Sequence, residues 1–301
     1  MASGRAAAQD LTPRAYVAMP VSSNAFILTY AFSDGELLFD PTVPITDATG
    51  RIHTPVITYF NTFGLFGRLA SLTGSLPFAV GHFSGEVLGQ DRAVTRKGVA
   101  DISVRFAVNL IGTPALAAPV FVKTPPPRAT LGASLKVIAP TGQYDPALLV
   151  NIGSNRWGFK PELGYSRNAG PLTLDMYAGV WFFTSNNDFY RTVPGAPPNI
   201  RSQDPIGAFE FHVSYDVRPR LWISADVNYW RGGEASLNGA ENRETLQANS
   251  RFGVTGSVPL TRHQAIKVSY SDGFIVRIGG NYRILSTAWQ YSWLGAPFAR
   301  N

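Results

Sequence analysis

The sequence predicts an antiparallel transmembrane β-barrel, all-β and of about twelve strands, on three observations. First, segment after segment alternates with a stride of two, apolar on one side and mostly polar on the other. Second, charged residues make up only 15% of the 301, against roughly 25% in an average soluble domain. Hydrophobic residues still reach 45%, yet no run approaches the roughly 18 consecutive apolar residues of a transmembrane helix. Third, the connections alternate short and long, as the turns and loops of outer-membrane barrels do.

The alternation can be followed along the chain. Residues 24–36, NAFILTYAFSDGE, put Phe26, Leu28, Tyr30 and Phe32 on one side. Residues 53–66 and 69–82 form an aromatic-rich pair around GLFGRLA. In 101–110, Ile102, Val104, Phe106, Val108 and Leu110 oppose Asp101, Ser103, Arg105 and Asn109. Residues 129–138 set Leu131, Ala133, Leu135 and Val137 against Ser134 and Lys136. Residues 156–166 set Trp157, Phe159, Leu163 and Tyr165 against Arg156, Lys160 and Glu162. Residues 171–183 and 205–217 repeat the pattern. In RPRLWISADVNYWRGGE (218–234), Leu221, Ile223, Ala225, Val227 and Tyr229 oppose Trp222, Ser224, Asp226, Asn228 and Trp230. Segments 248–260, 263–275 and 282–293 complete the set.

Long connections are expected at 37–52, 84–99, 140–155, 184–203 and 232–245, on the outer side. Short turns are expected near Gly67, 167–170, 218–220 and 261–262. The Pro-rich stretch 111–127 is long where a short turn belongs, and reads as a small helix or a plug at the periplasmic rim. Residues 24–293 therefore form the barrel. Residues 1–23 read as a signal remnant or periplasmic plug, and 294–301 as a tail. Within the first of these, AAAQD resembles the end of an export signal, without an apolar stretch before it. The closing STAWQYSW puts Trp289, Tyr291 and Trp293 on one face, which resembles the signal read by the outer-membrane assembly machinery.

Several functions are disfavoured. The chain has no Cys, so neither disulfides nor thiolate metal sites are available. The net charge of +6 is scattered rather than gathered into a nucleic-acid-binding patch. None of the four histidines pairs with another at a strand spacing of two, so no metal and no cofactor are expected.

Inward parity gives the candidate lumen residues: Arg105, Lys136, Lys160, Glu162, Asp175, Tyr177, Trp181, Glu210, His212, Trp222, Asp226 and Trp230. If Tyr165 pairs with Leu172, Glu162 lies opposite Asp175 and Lys160 opposite Tyr177. Two such carboxylates want a cation, which Lys160 or Lys136 supplies. The cluster reads either as a polar eyelet that filters solute or as a ladder of ion pairs filling a narrow barrel. A three-residue turn at 218–220 sets His212 opposite Asp226, Glu210 opposite Asn228 and Ser214 opposite Ser224. This assembles Ser, His and Asp, but all point inward and no Gly-rich turn beside either serine offers an oxyanion hole. Inward positions such as Ser214 are expected to tolerate a large polar side chain better than outward Val213. Inward aromatics among a few polar groups suit a flat, mostly apolar ligand with one polar handle, or simply fill space.

The most specific text is LGASLKVIAPTGQYDPALLVNIGSNRWGFKPELGYS (131–166). It is preceded by GVADISVRFAVNLIGTPAL (98–116) and followed by YAGVWFFTSNNDFY and NSRFGVTGSVPL. Over roughly 14–293 the chain resembles the MetA-pathway of phenol degradation family of outer-membrane proteins. The resemblance implies a non-enzymatic channel or transporter in the bacterial outer membrane, in contact with its lipid and passing small aromatic or apolar compounds. A structural or adhesive barrel, or an outer-membrane lipid hydrolase, is the alternative.

Overall fold

A computed structural model describes residues 11–38, 45–87, 89–191 and 197–295; the expectations for 1–10 and 296–301 lie outside the described residues. Twelve long strands form a closed antiparallel barrel. In chain order they begin with β1 (Ser23–Leu38), β2 (Ile45–Leu65) and β3 (Arg68–Val87). A shorter β4 (Gln90–Val99) precedes β5 (Ser103–Ile111), β6 (Ala129–Ile138), β7 (Gly158–Ala169) and β8 (Leu172–Phe183). Two outer strands, β9 (Asn186–Phe189) and β10 (Asn199–Gln203), precede β11 (Ile206–Arg218) and β12 (Leu221–Gly232). After β13 (Ala235–Leu237) and β14 (Ala240–Asn242), the wall ends with β15 (Gln247–Pro259), β16 (Gln264–Ile275) and β17 (Gly279–Leu294). β1 pairs with β17 from Ser23↔Leu294 to Leu38↔Gly279, which closes the ring and removes both edges. No described helix is long and apolar enough to cross a membrane.

The two parities have different surroundings. Leu28, Leu72, Phe106, Met176, Phe211, Val227, Val254 and Leu285 are exposed on the outer surface. Large apolar side chains left in contact with solvent over a whole closed belt describe a surface made for hydrocarbon. Tyr59, Trp289, Tyr291 and Trp293 lie together at the end of the belt that carries the short turns, with Tyr291 and Trp293 rings 5.9 Å apart. Amphipathic rings collect where hydrocarbon meets headgroup, so this end is the inner interface.

Three sequence expectations are corrected. Residues 84–99 are not a loop: β3 continues to Val87 and β4 runs back along it from Phe78↔Val99 to Val87↔Gln90. Similarly, β2 starts at Ile45, well before residue 53. These extensions stand above the apolar belt, where alternation no longer separates oil from water and so leaves no hydropathy signal. The third correction concerns register: Tyr165 pairs with Met176, Glu162 with Gly179 and Ser166 with Asp175. The turn is tighter than 167–170, because Gly170 at φ +62 lets Ala169 pair directly with Leu172. By contrast, β11 and β12 pair Glu210↔Asn228, His212↔Asp226 and Ser214↔Ser224, the expected register, but through a shorter turn: Arg218 pairs with Leu221, and a bulge between Asp216 and Arg218 makes up the difference.

Within 111–127 lies one short helix, α1 (Ala118–Phe121), with a Pro in its first turn. The stretch before it is fastened to the β2–β3 turn by Leu69 N–H to Thr113 O (3.3 Å) and Ala115 N–H to Gly67 O (3.0 Å). It therefore sits against the inner rim.

One expectation about tolerance also changes. Ser214 is completely buried, so an arginine there has no room, whereas Ser269, three strands further round the wall, is only half-buried. Val213→Arg on the lipid face is expected to cost about 2–4 kcal/mol. Ser269→Arg should cost less, measured by denaturant unfolding in lipid vesicles. Equal losses would contradict the assignment of the two faces.

Candidate functional site

The interior has two unlike halves. Strands β5 to β12 turn charged and aromatic groups inward, and residues 11–22 pack against them. Strands β16, β17, β1, β2 and β3 turn mainly small and hydroxyl side chains inward, with Lys267 as a charged exception.

In the first half, two-residue alternation stacks the charged groups in neighbouring rows. Lys160 on β7 lies between two carboxylates, with Nζ 2.7 Å from Glu162 Oε2 and 2.9 Å from Glu210 Oε1. Gly179, the residue opposite Glu162, leaves the space this amine needs; a Cβ there would meet Lys160 Cε at 2.9 Å. Glu162 is also 3.5 Å from the Arg105 guanidinium. On the neighbouring strands, His212 Nδ1 is 2.8 Å from Asp226 Oδ1 and Nε2 is 3.4 Å from Glu210 Oε2. Asp226 additionally accepts from Ser224 (3.1 Å) and Thr255 (2.8 Å). Asp175 accepts a hydrogen bond from Ser166. Asp175, Glu210 and Asp226 are buried, Glu162 is partly buried, and each has at least one donor.

The Ser, His and Asp side chains do meet, but in an arrangement unlike a hydrolytic triad. Ser224 donates to the carboxylate, and the second imidazole nitrogen faces Glu210 instead of a serine. Among the described residues no group of His, Cys, Asp and Glu is placed to hold a metal ion.

Arg105, Lys160, Glu162, Asp175, Tyr177, Glu210, His212 and Asp226 thus come together in one connected cluster. Lys136 pairs in register with both Arg105 and Lys160, and its amine lies 5.9 Å from the Trp181 ring. Trp181 and Trp230 are 0% and 1% exposed and pack with Ile206 and Ala208 in an apolar layer beyond the charges. Trp222 stands apart near the inner end, half-buried, with the Arg14 guanidinium 4.8 Å from its ring centre.

Residues 14–16 supply a second set of partners that sequence reasoning missed. Arg14 N–H donates to Asp175 Oδ2 (3.0 Å), and its guanidinium to Asp216 Oδ1 (2.8 Å). Ala15 N–H donates to the Tyr177 hydroxyl (3.0 Å). The Tyr16 hydroxyl donates to Glu162 Oε1 (3.0 Å) and reaches Ser134 Oγ (3.1 Å). Burial, reinforced by the Glu162 charge, pushes the Tyr16 phenol up to about 12, so it remains a donor at neutral pH. Its ring lies flat on the paired glycines Gly132 and Gly164, where a Cβ would come within 2.1 Å of ring carbons. Two inward glycines directly opposite each other on adjacent strands were the available signal: they mark a close approach by something large.

Small cavities remain beside the segment. One of about 50 Å³ is lined by Thr12, Arg105, Lys136, Lys160, Glu162 and Glu210. Another of about 390 Å³ opens at the inner mouth between Tyr16, Val17, Leu116, Phe121 and Pro125–Pro127.

The other half is open. Thr29, Ala31, Val56, Thr58, Ser75, Ser269 and Ser286 face inward and are all half-buried rather than packed. Hydroxyls pair across strands, as in Thr58–Ser75 (2.9 Å) and Ser269–Ser286 (2.7 Å).

Residues 42–277 match the family model described as the MetA-pathway of phenol degradation. The chain belongs to this family. No curated protein matches it. Among solved structures, the COG4313 outer membrane channel from Pseudomonas putida F1 is similar, with a TM-score of 0.76 at 18% identity, covering 94% of this chain and 100% of that one. The β domain of the Bordetella autotransporter BrkA matches with a TM-score of 0.50 at 12% identity, covering 90% and 99%. These likenesses share the fold, and a closed barrel with an apolar belt places the family member in the outer membrane.

The buried ion cluster yields a stability prediction. Lys160→Met strands Glu162 and Glu210 without their shared cation and is expected to cost about 3–5 kcal/mol. Adding Glu162→Gln and Glu210→Gln should recover much of the loss, read from urea unfolding of the barrel in vesicles. No recovery would mean that Lys160 acts through packing rather than charge.

Proposed function

We propose that this protein is a passive outer-membrane channel for small aromatic or other apolar compounds. The observation that carries the reading is the divided interior: one half is filled, and the other offers an accessible wall of small side chains. A space-filling structural barrel has no need of the second half. Family membership and a fold shared with a protein described as an outer membrane channel support the reading.

On this proposal the twelve candidate residues fall into separate roles. Arg105, Lys160, Glu162, Asp175, Tyr177, Glu210, His212 and Asp226 form the dock for residues 11–22, which act as a plug in the periplasmic mouth. Lys136 and Trp222 border the passage, and Trp181 and Trp230 stiffen the wall. The reading is non-enzymatic, and it is supported by the saturated Asp226 and by the imidazole held between two carboxylates, neither of which activates the neighbouring serines. Outer-membrane lipid is the partner of the belt, and the aromatic end of β17 the feature read by the assembly machinery.

Two experiments test this. Uptake of phenols, aromatic acids and sugars is compared between a deletion strain and its complemented parent. Selective loss of aromatics is expected; equal loss of sugars would indicate a general pore, and no loss a structural role. Tyr16→Ala should raise the rate of liposome swelling while leaving the heat-dependent gel shift of the folded barrel intact. Unchanged permeability would mean that residues 11–22 do not restrict the passage.

A further inference from the structure

The five spans that build the open wall, 27–33, 54–60, 71–77, 265–271 and 284–290, contain one charged residue, Lys267. It lies on β16 between Ser257 and Ala288, and Ile266 and Val268 on either side of it belong to the outward parity. Its side chain is therefore turned into the lumen, and it is exposed there. Among the described residues it forms no hydrogen bond or ion pair.

The carboxylates that could neutralise it are already engaged. Asp226 accepts from His212, Ser224 and Thr255. Asp216, nearer the inner mouth, is held by Arg14 at 2.8 Å. Glu162 and Glu210 share Lys160. These carboxylates are thus already partnered, while Lys267 presents its charge to the open side. A fixed charge beside a passage walled by low-dielectric material attracts the opposite sign and repels its own.

The row through Lys267 continues to Ser257 and then Trp222 on one side, and to Ala288, Thr29 and Val56 on the other. Trp222 is two strands away, about 10 Å at the usual strand spacing. An apolar body can lie along the methyl groups of this row while an anionic head meets the amine.

We infer that Lys267 makes the channel prefer organic anions, specifically small carboxylates with an aromatic or apolar body. The inference rests on the channel reading and narrows it from apolar compounds in general to acids.

The test is made on the full chain in planar bilayers and in liposomes. Under a potassium chloride gradient the wild type should show a reversal potential of the anion-preferring sign. Lys267→Gln should lower the anion-to-cation permeability ratio roughly fivefold, and Lys267→Glu should invert it, with Lys267→Arg restoring it. In liposomes, potassium benzoate should enter faster than through Lys267→Gln, while benzyl alcohol entry stays unchanged. The heat-dependent gel shift verifies that each variant is folded. Ion conduction with cation preference, or a permeability ratio untouched in Lys267→Gln, would overturn the inference and leave the channel reading standing. Absence of any conductance and of any swelling in the wild type would overturn both.

Discussion

A backbone that crosses hydrocarbon has to satisfy every amide within the protein, and here a sheet closed on itself does so. The ladder between β1 and β17 is the last link of that closure. Once the ring is shut, each strand has one side in lipid and one in the lumen, and the stride of two fixes which residues go where. Everything else follows from that division. The outer belt can be uniformly apolar because the polar residues have an interior to occupy. The interior can hold buried charges because they face one another across neighbouring strands.

The charged cluster illustrates how the interior is kept single-valued. Lys160 between Glu162 and Glu210, and His212 between Glu210 and Asp226, form a chain in which each group depends on its neighbours. Such networks contribute little net stability over a well-packed apolar core, but removing one member leaves a desolvated charge behind. The cluster also presents acceptors to residues 14–16, so the segment is fixed by the same carboxylates that the strands hold in place.

The architecture was legible because alternation survives wherever lipid and lumen are both present. The twelve wall strands carry it, and His212 stands opposite Asp226 as expected, although a two-residue turn and a bulge beyond Asp216 set that register rather than a three-residue turn. The β7–β8 register was not legible, because Asn168, Ala169 and Gly170 read equally well as turn or strand, and only the left-handed Gly170 shortens the turn. β4 was missed because QDRAVTRKGV stands outside the membrane, where both faces are wet. Arg14 and Tyr16 were missed for a different reason: a segment that docks inside a barrel needs no period of its own. Lys267 was hidden by ordinariness, since a lysine on an inward parity acquires meaning only when the neighbouring carboxylates are found to be occupied.

The docking of residues 14–16 has a consequence for the order of assembly. Their partners Glu162, Asp175 and Asp216 lie 146, 161 and 202 residues further along the chain. Contacts so distant in sequence are the slowest to form, because the intervening chain has first to be ordered. The Tyr16 seat is made by Gly132 and Gly164 on adjacent strands, and it does not exist until those strands have paired. A segment near the start of the chain is thus among the last to find its position, and the barrel passes through a stage in which its wall is complete and its interior is still vacant.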